Sequence, residues 1–165
     1  MRPTGSNRAA ALAARLEQAA AQLIGVIETI DDDRWRHVPQ PGVWSISKDV
    51  EHVAEAAGYH QWIVRLTIGD DVPKRKPVLE RTQMTSNRLP SEAADMIRQR
   101  TDDGTRLLSG LTDDQLDLET RPPRANRQLL AETIERVLIS HYDGHRADIE
   151  AKLRALADWR PTGED

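Results

Sequence analysis

Apolar residues along this chain recur at intervals of three and four and never settle into a strand-like alternation, so the sequence reads as helix throughout. Leu12, Leu16, Ala20, Leu23, Ile27 and Ile30 form one stripe over roughly residues 7 to 30, which Asp31-Asp32-Asp33 ends. A loop with Pro39 and Pro41-Gly42 follows. A serine of Trp44-Ser-Ile-Ser-Lys-Asp49 then caps a second helix to about Ile68, with Val50, Val53, Ala57, Val64 and Leu66 inward. Residues 69 to 90 hold three prolines and no helical period, which predicts a long connection. A third helix opens at Ser91 and stops at Gly110, with Ala94, Ile97, Thr101 and Leu108 facing in; Gly104 weakens its middle by about 1 kcal/mol. After Pro122-Pro123, a fourth helix is expected from about Arg127 to Asp158, and the end from Trp159 reads as a loose tail. Its stripe is Leu130, Ile134, Val137, Leu138, His141, His145, Ile149, Leu153 and Leu156.

The pattern of helix, acidic turn and proline loop occurs twice, at Ile30-Asp-Asp and at Leu111-Thr-Asp-Asp, which predicts two antiparallel hairpins joined by the long connection. That connection can cross the whole bundle and start the third helix parallel to the second. The expected fold is therefore all-α, a four-helix bundle running up-down-down-up with a crossover between helices 2 and 3. At 165 residues the chain makes one domain, 1–165, with its core at about 7–158.

Composition narrows the chemistry. Cysteine is absent, which excludes disulfides, thiolate metal sites and a thiol nucleophile of the protein's own, and leaves His, Asp and Glu as metal ligands. The net charge of −4 argues against general nucleic-acid binding. Lacking a signal-like segment or an apolar run near 18 residues, the chain is expected to be soluble and cytoplasmic, with no membrane partner.

Two of the five histidines, His141 and His145, stand four apart on one helical face, close enough for one cation to take a nitrogen from each. Tyr142 stands where a metalloprotease motif needs Glu, so that reading fails for want of a general base. Bundle topology supplies a third ligand. His52 lies about 9 Å below the start of a second helix about 34 Å long, hence about 25 Å from its far end, and His145 lies about 26 Å along the antiparallel fourth helix. All three imidazoles reach one level.

The stretch Pro41-Gly-Val-Trp-Ser-Ile-Ser-Lys-Asp-Val-Glu-His52, followed far downstream by His141-x-x-x-His145, resembles the DinB/YfiT-like family over approximately residues 7 to 158. The resemblance implies a four-helix bundle with a divalent metal, zinc or nickel first among candidates, on His52, His141 and His145, and often a homodimer. Relatives with known chemistry include mycothiol-dependent maleylpyruvate isomerase and bacillithiol S-transferases. The activity it implies is a metal-dependent, thiol-dependent S-transferase or isomerase acting on a small electrophilic molecule. A low-molecular-weight thiol would be the cosubstrate. Metal-dependent hydrolysis and a non-catalytic metal-binding stress-response bundle remain alternatives. Three neutral imidazoles leave a zinc-like ion its full charge and an open position, where the pKa of a water or thiol falls.

Further candidates surround this set. Glu55, three after His52, is the first choice for a catalytic carboxylate or a hydrogen-bond partner to a ligand, and Asp148 competes with it, while the favoured reading of both is a solvated helix charge. His60 is about 80° round the helix from His52 and can line the cavity, although a histidine so placed is more often packed or half-exposed. His37 reads as surface, Trp44 as a staple of the loop to the core, and Tyr59 and Tyr142 as pointing about 100° from their histidine neighbours. Lys74-Arg-Lys76 and Arg121, Arg124 and Arg127 are loop clusters able to hold a carboxylate or to stay solvated.

Overall fold

The computed structural model describes residues 5–74, 83–121 and 127–160. Its helices are α1 (Asn7–Ile27), α2 (Asp32–Arg36), α3 (Ile46–Thr67), α4 (Pro90–Ser109), α5 (Asp113–Leu116), α6 (Leu130–Thr133), a π-helical segment (Ile134–Ile139) and α7 (Ser140–Ala155). Polar side chains set the starts. The Ser6 hydroxyl accepts from Ala9 N–H at 3.0 Å, Asp31 Oδ1 from Arg34 N–H at 2.9 Å, and Ser45 Oγ from Lys48 N–H at 3.3 Å.

Four long elements make the bundle: α1 packs on α4 and on α7, and α3 packs on the same two. Their directions follow from what meets at each end. Ser6 N–H donates to Leu111 C=O, so α1 begins where α4 ends. Ser45 N–H donates to Met84 C=O, and Ser86 N–H to Ser47 Oγ, so α3 and α4 begin at the same end. Lys152 meets Asp49, so α7 ends where α3 begins. The order is up-down-down-up, as the periodicity predicts, and Thr67 and Pro90 lie at opposite ends. Of the connection between them, residues 75–82 lie outside the described residues.

Leu16, Leu23, Ile27, Val50, Val53, Ile97, Leu108, Ile134, Leu138 and Ile149 fill the core. In a chain without Phe, the largest side chains buried there are Trp35 and Tyr142. Trp35 sits on α2, inside what the sequence reads as a plain loop, and its Nε1–H donates to Arg88 C=O at 2.7 Å. That bond ties the first connection to the segment preceding α4. Gly104, expected to weaken α4, is explained by close packing: a Cβ there would stand 2.8 Å from Leu16 Cδ2 and 3.0 Å from Gln61 Nε2. Helix α1 is long and apolar enough to cross a membrane by length and composition, contrary to the sequence expectation. Its apolar face packs in the bundle, however, and its other face carries Arg8, Arg15 and Glu17, the pattern of a core helix.

The fourth long element departs most from expectation. It starts at Leu130, not Arg127, because Thr120 N–H donates to Gln128 C=O and Leu130 N–H to Leu118 C=O, which commits the preceding backbone to a short bridge. Nor is it a straight α-helix. The π segment closes one residue wider than an α turn, with Ser140 N–H on Glu135 C=O and the Ser140 hydroxyl donating to the same carbonyl at 2.8 Å. One extra residue shifts everything after it by about 100°. In a straight helix Tyr142 and Ile149 would stand about 80° and 60° round from Ile134, with the two histidines within about 20° of it. With that shift, Tyr142 and Ile149 face the core and are fully buried, and His141 and His145 turn to the α3 side. Trp159 is not loose either, since its ring lies 4.4 Å from that of His37.

Removing one residue from the π segment should therefore leave every later side chain on its present face. We expect deletion of the exposed Arg136 to shift the thermal midpoint by only a few degrees. Deletion of exposed Ala147, inside regular α7, rotates Lys152 and Ile149 by about 100° and should lower the midpoint by on the order of 10 °C. Differential scanning calorimetry of the two variants checks this, and equal losses would contradict the register account.

Candidate metal centre

His52 comes from the first turns of α3, and His141 and His145 from the first turns of α7. Because the two helices run antiparallel and in contact, the three rings meet at one level. Ring centroids lie 5.1 Å apart for His52 and His141, 5.0 Å for His52 and His145, and 4.5 Å for His141 and His145, all roughly edge to face. One nitrogen of each lies within 4.8 Å of the others. Zinc bonds of about 2.1 Å put ligand nitrogens about 3.4 Å apart around a tetrahedral ion, a gap that small imidazole rotations close. The donor set fits the metal on chemistry as well. The donors are three imidazole nitrogens, on residues all half-buried in the seam between two helices.

Two aromatic neighbours border the trio. The Trp44 ring lies 5.2 Å from His52, and the His60 ring 5.5 Å from His141 at 84°. Trp44, read as a staple of the loop to the core, has its indole beside His52, and the position four residues into the helix that a hydrophobic staple uses is Asp49. Tyr59 stacks on Trp62 at 20° between planes, next along α3. His60, for which a packed or half-exposed place on the helix is the favoured reading of the sequence, is thus brought beside the trio.

The carboxylates divide into two exposed and one buried. Glu55 and Asp148 are both on exposed faces. Asp49, which the sequence reading passes over, is only 5% exposed and is the one buried acidic residue among those described. It pairs with Lys152, whose Nζ–H also donates to Trp44 C=O at 2.8 Å. Burial pushes the Asp49 carboxyl above the usual carboxylate range, against the pull of the Lys152 hydrogen bond. A signal was present, an Asp one turn before His52 and a Lys two turns after His145, but neither fits a ligand motif. Burial raises the pKa of the core-facing Tyr142 hydroxyl to about 12, with the Thr101 hydroxyl acting in the opposite direction.

Of the basic clusters, Lys74, Arg121 and Arg127 are exposed, and Arg75, Lys76 and Arg124 lie outside the described residues. Arg127 lies 3.7 Å from Glu119 and not at the histidines.

The sequence profile of the DinB superfamily matches residues 15–158. The chain belongs to the DinB superfamily. Among solved structures it is similar to YfiT from Bacillus subtilis, with 20% identity, a TM-score of 0.74, and coverage of 95% of this chain and 93% of that one. YfiT is described as a probable metal-dependent hydrolase with an unusual four-helix bundle topology. No curated protein matches the chain. Membership bears out the family reading of the sequence, and the structural likeness bears out the bundle.

We expect one divalent ion per chain, with its loss in His52→Ala, His141→Ala and His145→Ala. Elemental analysis of protein purified without an affinity tag checks this. A variant that keeps the parent's metal content would remove that residue from the ligand set.

Proposed function

We propose that this member of the DinB superfamily is a metal-dependent enzyme that joins or isomerises small electrophilic molecules with the help of a low-molecular-weight thiol. The observation that carries the reading is the donor set: three imidazoles at one level, in a chain without cysteine. His52, His141 and His145 would hold zinc or nickel and leave at least one position for an outside molecule. When bound, such an ion supplies Lewis acidity and lowers the pKa of a thiol or water beside it.

The chain's own residues account for the remaining demands. The two antiparallel helices fix the angle between His52 and the α7 pair, so the ligands need little reorganisation. Trp44 and His60 wall the trio on two sides, giving a small planar molecule apolar contact and one polar edge. Because no Cys is available, the nucleophilic sulfur has to arrive with a cosubstrate. Glu55 is on the exposed side of α3, three residues after His52.

Hydrolysis is the second reading, favoured by the description of YfiT, and it needs only water in place of the thiol. Metal-loaded protein assayed with a panel of esters, epoxides and activated alkenes, with and without small thiols, separates the two. We expect product only when a thiol is present. Turnover without thiol would establish the hydrolytic reading, and no turnover in confirmed loaded protein would leave a metal-binding bundle without catalysis.

A further inference from the structure

The buried Asp49 carboxylate pairs with the part-buried Lys152 ammonium and so joins α3 to α7 close to the histidines. Asp49 precedes His52 by one turn and Lys152 follows His145 by two. Since the helices are antiparallel, both charges lie on the same side of the trio, toward the end where α3 begins. Helical side chains lean toward their own N-terminus, which carries the long Lys152 stem back toward His145 and the short Asp49 side chain out to meet it. Lys152 then donates to Trp44 C=O at 2.8 Å, and the Trp44 ring lies 5.2 Å from His52. One ammonium therefore touches α3, α7 and the loop that carries the indole.

Such a pair is a poor way to stabilise a bundle. Desolvating two charges offsets most of their attraction, and apolar replacements of similar volume are often neutral or stabilising. What a charged, hydrogen-bonded contact supplies and an apolar one does not is selectivity: it is satisfied over a narrower range of helix spacings and rotations than apolar packing is. We propose that Asp49 and Lys152 are positioning residues of the metal centre. Their pairing fixes α3 against α7 so that His52 meets His141 and His145, and the Lys152 bond to Trp44 holds the indole against His52. The inference rests on the metal reading of the three histidines.

Cobalt(II) reports the geometry through its visible absorption bands and the affinity through titration. The main variant is Asp49→Leu/Lys152→Met, which keeps volume and removes both charges. Metal-free double variant should melt at or above the parent's midpoint, bind cobalt 10- to 100-fold more weakly, and show shifted bands, as loss of groups that orient metal ligands does. Lys152→Arg, which can still reach both acceptors, should keep the parent's bands. Parent-like affinity and bands in the double variant would overturn the proposal, and so would affinity lost only together with metal-free stability. Should the double variant fail to fold, Asp49→Asn, which preserves shape and a hydrogen bond, must still weaken binding severalfold, and parent-like binding there overturns the proposal equally. A parent that binds no cobalt would instead remove the metal reading itself.

Discussion

The antiparallel contact of α3 with α7 is the constraint on which the rest of this molecule turns. His52 is separated from His141 by most of the chain, and only this contact brings the two imidazoles to one height. The contact in turn requires α3 and α4 to start at the same end, which the Ser45, Ser47 and Ser86 hydrogen bonds enforce, and requires α1 to occupy the opposite corner against α4 and α7. Trp35, buried under Arg88 C=O, closes the same end. The polar bonds there are modest in energy, about 1 kcal/mol each, but they select one of several arrangements that apolar burial alone would leave close in energy.

The fourth element has two duties that a straight α-helix cannot meet with this sequence. Its apolar residues have to face the core over its whole length, and its histidines have to face α3. Counted at 100° per residue, the histidines fall in line with Ile134, and Tyr142 and Ile149 drift off that line. The π segment absorbs one residue and restores Ile134, Tyr142 and Ile149 to a common face. The histidines then fall in the seam between helices, half-buried and reachable. A π turn next to a functional site is a common association, and here the reason is visible in the register.

Much of this was legible in the sequence. The stripes at three- and four-residue spacing locate the long helices, and the proline loops and the long connection order them. The match in height between His52 and His145 picks out the three histidines that come together, because helical rise is nearly constant. Legibility ended where a single local event decides the outcome. No periodicity marks the π segment, since its shift is visible only when the burial of Tyr142 is known. Trp35 is read as loop because a five-residue helix has no period to detect. Asp49 escapes notice because its partner Lys152 is 103 positions away, and Glu55 looks the better carboxylate by spacing alone although it ends on an exposed face.

If the three histidines share one ion, that ion links α3 to α7, and its binding energy is also folding energy. At a free concentration a thousand times the dissociation constant the gain is about 4 kcal/mol. For a chain of this size that raises the thermal midpoint by on the order of 10 °C. The decisive measurement is calorimetric melting at pH 7 of metal-loaded protein and of the same protein after chelation, with metal content verified in both. The account predicts one cooperative transition in each, with the chelated form lower by about that amount. Coincident melting of the two verified forms would mean that the ion does not join these helices, and the three-histidine centre would have to be abandoned.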